Sequence, residues 1–392
     1  MDIPNPADAM MTQDQPMIVC YFGTYRREYS RNQIMIEGLR RNGVEVVECH
    51  ETLWHSVEDR VQTVSGGWSR PVFWWRVLRT YFRLLLQYRR VGKYDVLIVG
   101  YPGQFDVFLA RFLSWLHRKP LVWDVFMSIY LITLERGLDK RSRFTIDLLR
   151  RLEWVACLLP DRLILDTSEY VAWFGKTHGV PTQRFRLVPT GADDRVFYPI
   201  LLPMPESHTF CVIYYGTFIR NHGVNHIVEA ARLLADDSSI RFEFIGDGPE
   251  REKAQEIANR YHLSNVTFVE WLEKTELVKR VVQADVCLGA FGTTPQSLLT
   301  VQNKIYEGLA MARPVITGDS PAVRQALIHG EQVYLCKREN PLSLAEAIRT
   351  LKSNPDLCRR LGQNGHRFFC DKFDINHVGQ IFASHMDELL FQ

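Results

Sequence analysis

A chain of 392 residues with 46% hydrophobic content is long enough for two or three packed domains, and its formal net charge of +2 excludes a globally basic nucleic-acid binder. Its eight cysteines form no CxxC pair and read as reduced thiols, mostly core fillers such as Cys211 and Cys287, as expected in a cytosol. No run reaches the roughly 20 apolar residues that a membrane-spanning helix needs.

Residues 1–16, rich in Asp, Pro, Met and Gln, lack the basic start and apolar run of a signal peptide and are expected to be a disordered leader. A first domain is expected over residues 17–200. Met17-Ile18-Val19-Cys20-Tyr21-Phe22 predicts a strand that runs into Gly23, where the missing Cβ allows close backbone approach. Arg26 or Arg27 in that loop could meet a donor or acceptor phosphate, although adjacent loop arginines are as readily solvated. A helix over 31–41 follows, then strands over 45–48, 95–100 and 120–126.

One segment of this domain stands apart. From Trp68 to Lys93 there are seven cations (Arg70, Arg76, Arg79, Arg83, Arg89, Arg90, Lys93) and no acid, interleaved with Phe73, Trp74, Trp75, Tyr81, Phe82 and Tyr88. Such a composition suits an anionic membrane surface. A domain helix with core aromatics and a solvated arginine face would look the same. Nucleic acid is not expected as a partner, because no recognition motif accompanies the charge.

Asp161 to Tyr170, Gly179-Val180-Pro181 and Arg186-Leu187-Val188-Pro189-Thr190-Gly191 form a further ordered block of this domain. A linker is expected near Pro199 to Ser207, where Pro199, Pro203 and Pro205 crowd together. The second domain, expected over 201–375, opens with the strand Cys211-Val212-Ile213-Tyr214-Tyr215 ending at Gly216-Thr217. His222-Gly223-Val224 then leads into an amphipathic helix carrying Ile227, Ala230, Ala231 and Leu234. Further strands are expected at 242–245 before Gly246, at 266–269 before Trp271 and Leu272, and at 284–288. Four strands alternating with helices imply a parallel, doubly wound sheet.

The most informative segment is Gln302-Asn303-Lys304-Ile305-Tyr306-Glu307-Gly308-Leu309, followed by the apolar run that Pro314-Val315-Ile316 begins. Asn303 is expected to cap a helix whose Ile305 and Leu309 share a face, with a strand after it. Free N–H groups of Gln302, Asn303 and Lys304 at the helix start can hold an anion, and an acid one turn in suits the two hydroxyls of a ribose. Taken alone, Glu307 would equally fit an ordinary helix surface.

This ordered series resembles the retaining nucleotide-sugar glycosyltransferases of the GT-B fold, family 4. The resemblance implies an α/β molecule of two Rossmann-like doubly wound parallel-sheet domains facing across a cleft. A final helix, residues 376–392, starting near Ile375, would pack back on the first domain. It further implies transfer of a sugar from a UDP- or GDP-linked donor to an acceptor hydroxyl, with retention and with neither metal nor cofactor. The acceptor would be a glycan or lipid-linked, and the enzyme cytoplasmic, with a peripheral place on the inner membrane face open to it.

By that resemblance Glu307 grips the donor ribose, and Gly23, Gly216, Gly246, Trp271, Leu272, Gln302 and Asn303 line the donor site. The family's paired diphosphate cations fall here on Thr217 and His222, its first glutamate on Leu299, and a histidine common in relatives on Phe126. Arg220 and Lys304 are therefore the candidate cations, with an exposed loop arginine as the plain alternative for Arg220. Thr293, Thr294, Gln296 and Ser297 remain as polar contacts for the sugar. Asp124 is a candidate for stabilising transition-state charge or for a structural acid in equal measure. A GT-B epimerase, a phosphorylase-like protein and a catalytically silent nucleotide binder are the competing readings.

Overall fold

In the computed structural model, residues 16–53, 71–137, 143–200 and 209–391 are described. All of the expected leader but Pro16, most of the expected linker, and Trp68 and Arg70 lie outside them.

Two parallel six-stranded sheets form the molecule. The first contains β1 (Ile18–Gly23), β2 (Glu45–His50), β3 (Val96–Val99), β4 (Leu121–Asp124), β5 (Arg162–Leu165) and β6 (Phe185–Leu187), in the order β2-β1-β3-β4-β5-β6. Every residue of β3 and β4 is buried, as continuous apolar runs must be when helices cover both faces of a sheet. The second contains β7 (Phe210–Tyr215), β8 (Ile240–Ile245), β9 (Val266–Val269), β10 (Val286–Leu288), β11 (Val315–Gly318) and β12 (Tyr334–Cys336), in the order β12-β11-β10-β7-β8-β9. Strand β12 is absent from the sequence reading, because its three residues lie in an apolar run of only four, Val333 to Cys336, too short to tell a strand from a loop. The order in which strands are added reverses between β1 and β3 and between β7 and β10, so each sheet opens a crevice at the carboxyl ends of those strands.

The last helix, Ile375–Leu390, does not pack on the second sheet. Its Ile375, Val378, Phe382 and Met386 join Ile34, Met35 and Leu39 of the Ser30–Arg41 helix in one core. The two helices touch through bare backbone: a Cβ placed on Gly379 would lie 2.1 Å from the Gly38 carbonyl oxygen. Asp374 caps it, accepting from the His377 amide at 2.7 Å.

Two local expectations differ. The Asn303–Ala310 helix starts one residue earlier than its expected cap implies: Gln302, extended at ψ 143°, occupies the cap and makes no side-chain capping bond. Strand β4 stops at Asp124, and Phe126 turns the chain away at φ +53°, its ring lying over the Arg31 guanidinium at 5.1 Å.

Candidate functional site

The crevice of the second sheet is built around the end of β7. Gly216 follows that strand at φ +126°, and a Cβ there would stand 3.0 Å from Nζ of Lys304. Gly246, after β8, presses so closely that its Cβ would fall 2.2 Å from the Gly216 carbonyl oxygen. Glycine at both places leaves a bare backbone floor, and Lys304 reaches over it from the start of the Asn303–Ala310 helix.

Lys304 is 6% exposed, with Nζ 4.2 Å from the centre of the Tyr214 ring and 3.3 Å from Nδ1 of His222. That imidazole nitrogen is also 2.6 Å from the Thr217 carbonyl oxygen and 2.9 Å from the Tyr214 hydroxyl. Burial, opposed by the Glu307 carboxylate, pushes the Lys304 ammonium down to about 7. Burial first and Lys304 second hold His222 well below its ordinary value, so the imidazole is neutral. Glu307 is raised to about 7 by burial, with Tyr215, Lys304 and Lys274 working the other way. The family's cationic pair is missing at Thr217 and His222, yet an ammonium from 82 residues further along the chain occupies the space between Gly216 and His222.

The other donor-side candidates divide. Thr217 offers its carbonyl to Tyr214 and His222 and is exposed. Arg220 is exposed in the turn Arg220–His222, within the electrostatic reach of Glu135 and Glu339. Trp271 is 58% exposed, whereas Leu272 packs on the core beneath it. Gln302 donates to the Ser297 carbonyl at 3.3 Å, and Asn303 takes the first position of the helix. Gln296 and Ser297 are buried: Ser297 donates to the Asn221 carbonyl at 2.6 Å and accepts from Arg338 at 2.8 Å.

Asp124 is engaged within the first domain. Both of its oxygens are taken by Arg31, whose Nε and Nη2 donate at 3.0 and 2.9 Å, and both side chains are fully buried. Arg31 also donates to the carbonyls of Val188 and Pro189 at 2.9 and 2.8 Å. Of the two sequence readings of Asp124, the structural acid fits this geometry: it orients an arginine that ties the β1–β2 helix to the end of β6.

On the first domain, a Cβ on Gly23 would meet the Asp106 carboxylate at 2.6 Å, and that carboxylate accepts from the Thr24 amide at 2.7 Å. Arg27 pairs with Glu48 at 3.4 Å. Arg26, half-buried, has no carboxylate partner among the described residues, which makes it the more available cation of this loop.

Several groups at the crevice escaped the sequence reading, because each acts across the domain boundary. Glu135, at the end of the Ile129–Glu135 helix of the first domain, accepts from the Gln296 amide at 2.7 Å and from Asn221 at 2.9 Å, and burial raises its pKa. Thr167 donates to the Leu299 carbonyl and Thr300 to Asp166. Lys274 donates to Gln33 at 3.2 Å. A glutamate ending a short helix carries no local signal that it will meet the first turn of another helix 161 residues later.

Residues 205–368 match the family model described as glycosyl transferases group 1, a stretch that contains the second sheet. EpsD of Bacillus subtilis, assigned to the glycosyltransferases, is 26% identical over 256 residues, covering 60% of this chain and 63% of EpsD. The chain thus spans less than two thirds of the length of the curated relatives it matches. Sucrose-phosphate synthase from Thermosynechococcus elongatus superposes with a TM-score of 0.70 at 16% identity, covering 96% of this chain and 99% of that one. HepE from Anabaena, solved in complex with UDP, gives a TM-score of 0.67 at 13% identity, covering 95% of this chain and all of that one (100%). The fold is GT-B. Within it, the second domain carries the sequence pattern of the glycosyl transferases group 1.

Proposed function

We propose that the protein is a glycosyltransferase that moves a sugar from a nucleoside-diphosphate donor, UDP- or GDP-linked, to an acceptor hydroxyl. The observation that carries this reading is the Lys304 ammonium over the bare Gly216 floor at the switch point of the second sheet, one helical turn from Glu307. Anions bind best where backbone N–H groups and a desolvated cation converge, and a diphosphate brings the negative charge that a half-deprotonated buried lysine lacks.

In this reading the diphosphate lies against Gly216 and the first turn of the Asn303–Ala310 helix, with Lys304 on one side and Arg220 on the solvent side. Glu307 accepts from the ribose hydroxyls, and the base lies by Leu272. As the glycosidic bond breaks, negative charge grows on the leaving diphosphate, so the two cations act more strongly in the transition state than in the ground state. These cations supply the charge stabilisation that a divalent metal gives in other transferases. Transfer proceeds with retention of configuration, and the acceptor is a glycan or a lipid-linked hydroxyl entering from the side of Gly23 and Arg26.

The test is direct. Purified protein is incubated with UDP- and GDP-sugars in the presence of a chelator, and release of nucleoside diphosphate is followed, with binding of UDP and GDP measured by calorimetry. Binding with turnover supports the reading. Binding with no release from any donor, acceptor present or absent, would favour the silent nucleotide binder, and no binding of either nucleotide would overturn the site.

A further inference from the structure

The outward side of the Pro71–Tyr88 helix takes no part in the crevice. Inwardly the helix docks on the first sheet through Thr80, Leu84 and Tyr88, all buried, and through Tyr81, whose hydroxyl donates to Asp106 at 2.7 Å. On the opposite side Trp75, Leu78, Phe82 and Leu86 recur at helical spacing and are 69%, 65%, 63% and 42% exposed. A helix that is apolar on both sides belongs against something apolar on both sides.

The patch does not end there. The Asp106–His117 helix packs into the same core and turns Phe112 and Trp115 outward, 61% and 65% exposed. A groove of about 530 Å³ runs between the two helices, with Phe82 and Leu86 on one wall and Leu113 and Leu116 on the other. An exposed apolar surface continuous over two helices marks an interaction face rather than scattered surface residues.

Charge selects the occupant. Arg79 and Arg83 are exposed beside Phe82, Arg89, Arg90 and Lys93 follow, and no acid occurs between residues 71 and 93. A second copy docking through the same patch would set these cations against themselves. An anionic bilayer meets both demands, taking aromatic rings at the acyl boundary and arginines at the headgroups. No helix among the described residues is long and apolar enough to cross a membrane, so attachment here is in the plane of the surface.

We propose that the outward faces of these two helices dock the protein on an anionic lipid surface. Docking there also fixes the crevice relative to the bilayer, because Asp106 holds Tyr81 of the docked helix and the Thr24 amide of the crevice loop at the same time. This inference stands independently of the proposed transfer reaction.

The experiment is co-sedimentation of the full chain with phosphatidylcholine vesicles, with and without phosphatidylglycerol. Wild type should bind the anionic vesicles at low salt and release as salt is raised. The pairs Arg79→Gln/Arg83→Gln and Trp75→Ser/Phe82→Ser should each weaken binding by roughly tenfold or more, with thermal unfolding unchanged. In wild type, lipid-borne bromine should quench tryptophan fluorescence, a readout that needs no variant. Absence of wild-type binding at low salt, equal binding to neutral vesicles, or variants that bind like wild type would overturn the proposal. So would a wild-type dimer that Trp75→Ser/Phe82→Ser dissolves in a protein that ignores vesicles.

Discussion

Nζ of Lys304 lies 3.3 Å from Nδ1 of His222, a contact between the start of one helix and the loop after β7 that spans 82 residues. It puts a buried cation beside a β7 loop whose own Arg220 is exposed and whose inward groups are the Thr217 carbonyl and a neutral imidazole.

Lys304→Met should therefore weaken nucleoside diphosphate binding while leaving free nucleoside nearly unaffected. A charged hydrogen bond contributes about 2 kcal/mol, so roughly a thirtyfold rise in Kd is expected by calorimetry. Equal losses for nucleoside and diphosphate would mean that Lys304 only supports the fold of the loop.

The same lysine sets a pH dependence. With its pKa at about 7 in the folded protein against 10.5 ordinarily, Lys304 is neutral when folded and protonated when unfolded across that window, so its contribution to stability rises with pH there. Binding has the opposite sign, since a diphosphate favours the protonated form. Affinity should fall by up to about tenfold per unit above pH 7, with net proton uptake seen as a dependence of the binding enthalpy on the buffer. Affinity that stays flat from neutral to alkaline pH would argue against Lys304 at the diphosphate.

Glu307→Gln should weaken nucleoside and nucleoside diphosphate alike, by about tenfold or more, because the charged acceptor for the ribose hydroxyls is lost from both. Calorimetry with both ligands separates this from the Lys304 effect. Unchanged affinity in a folded variant would remove Glu307 from the site.

Asp124→Ala leaves Arg31 charged and unpaired in a fully buried setting. About 3 to 5 kcal/mol of stability should be lost, read by urea unfolding, while turnover per folded molecule changes little. Intact stability with turnover lost would restore a chemical role for this acid.

Glu135→Ala removes two hydrogen bonds that cross from the first domain to Asn221 and Gln296. The crevice should open more readily, raising the donor KM by roughly tenfold with a smaller change in kcat. A variant with wild-type KM and an unaltered scattering profile would show that other contacts hold the domains.

The final helix is placed by the family resemblance, whereas apolar runs and helical periodicity are enough for most of the strands and the doubly wound class. These depend on which side chains must leave water, and that is written locally. The same local signal marked Gly216, Gly246 and the helix bearing Lys304 and Glu307, since a turn without Cβ and a helix start are properties of a few consecutive residues. It could not separate the two readings of Asp124, because a carboxylate is free or consumed according to a partner 93 residues away. Nor could it tell the aromatic residues of the 71–88 helix apart. Thr80, Leu84 and Tyr88 turn inward and Trp75 and Phe82 outward only because the sheet lies on one side. Lys304 beside His222, Glu135 against Gln296 and Arg31 on Asp124 are all contacts between groups far apart in the chain, and such contacts exist only once packing has fixed the distances.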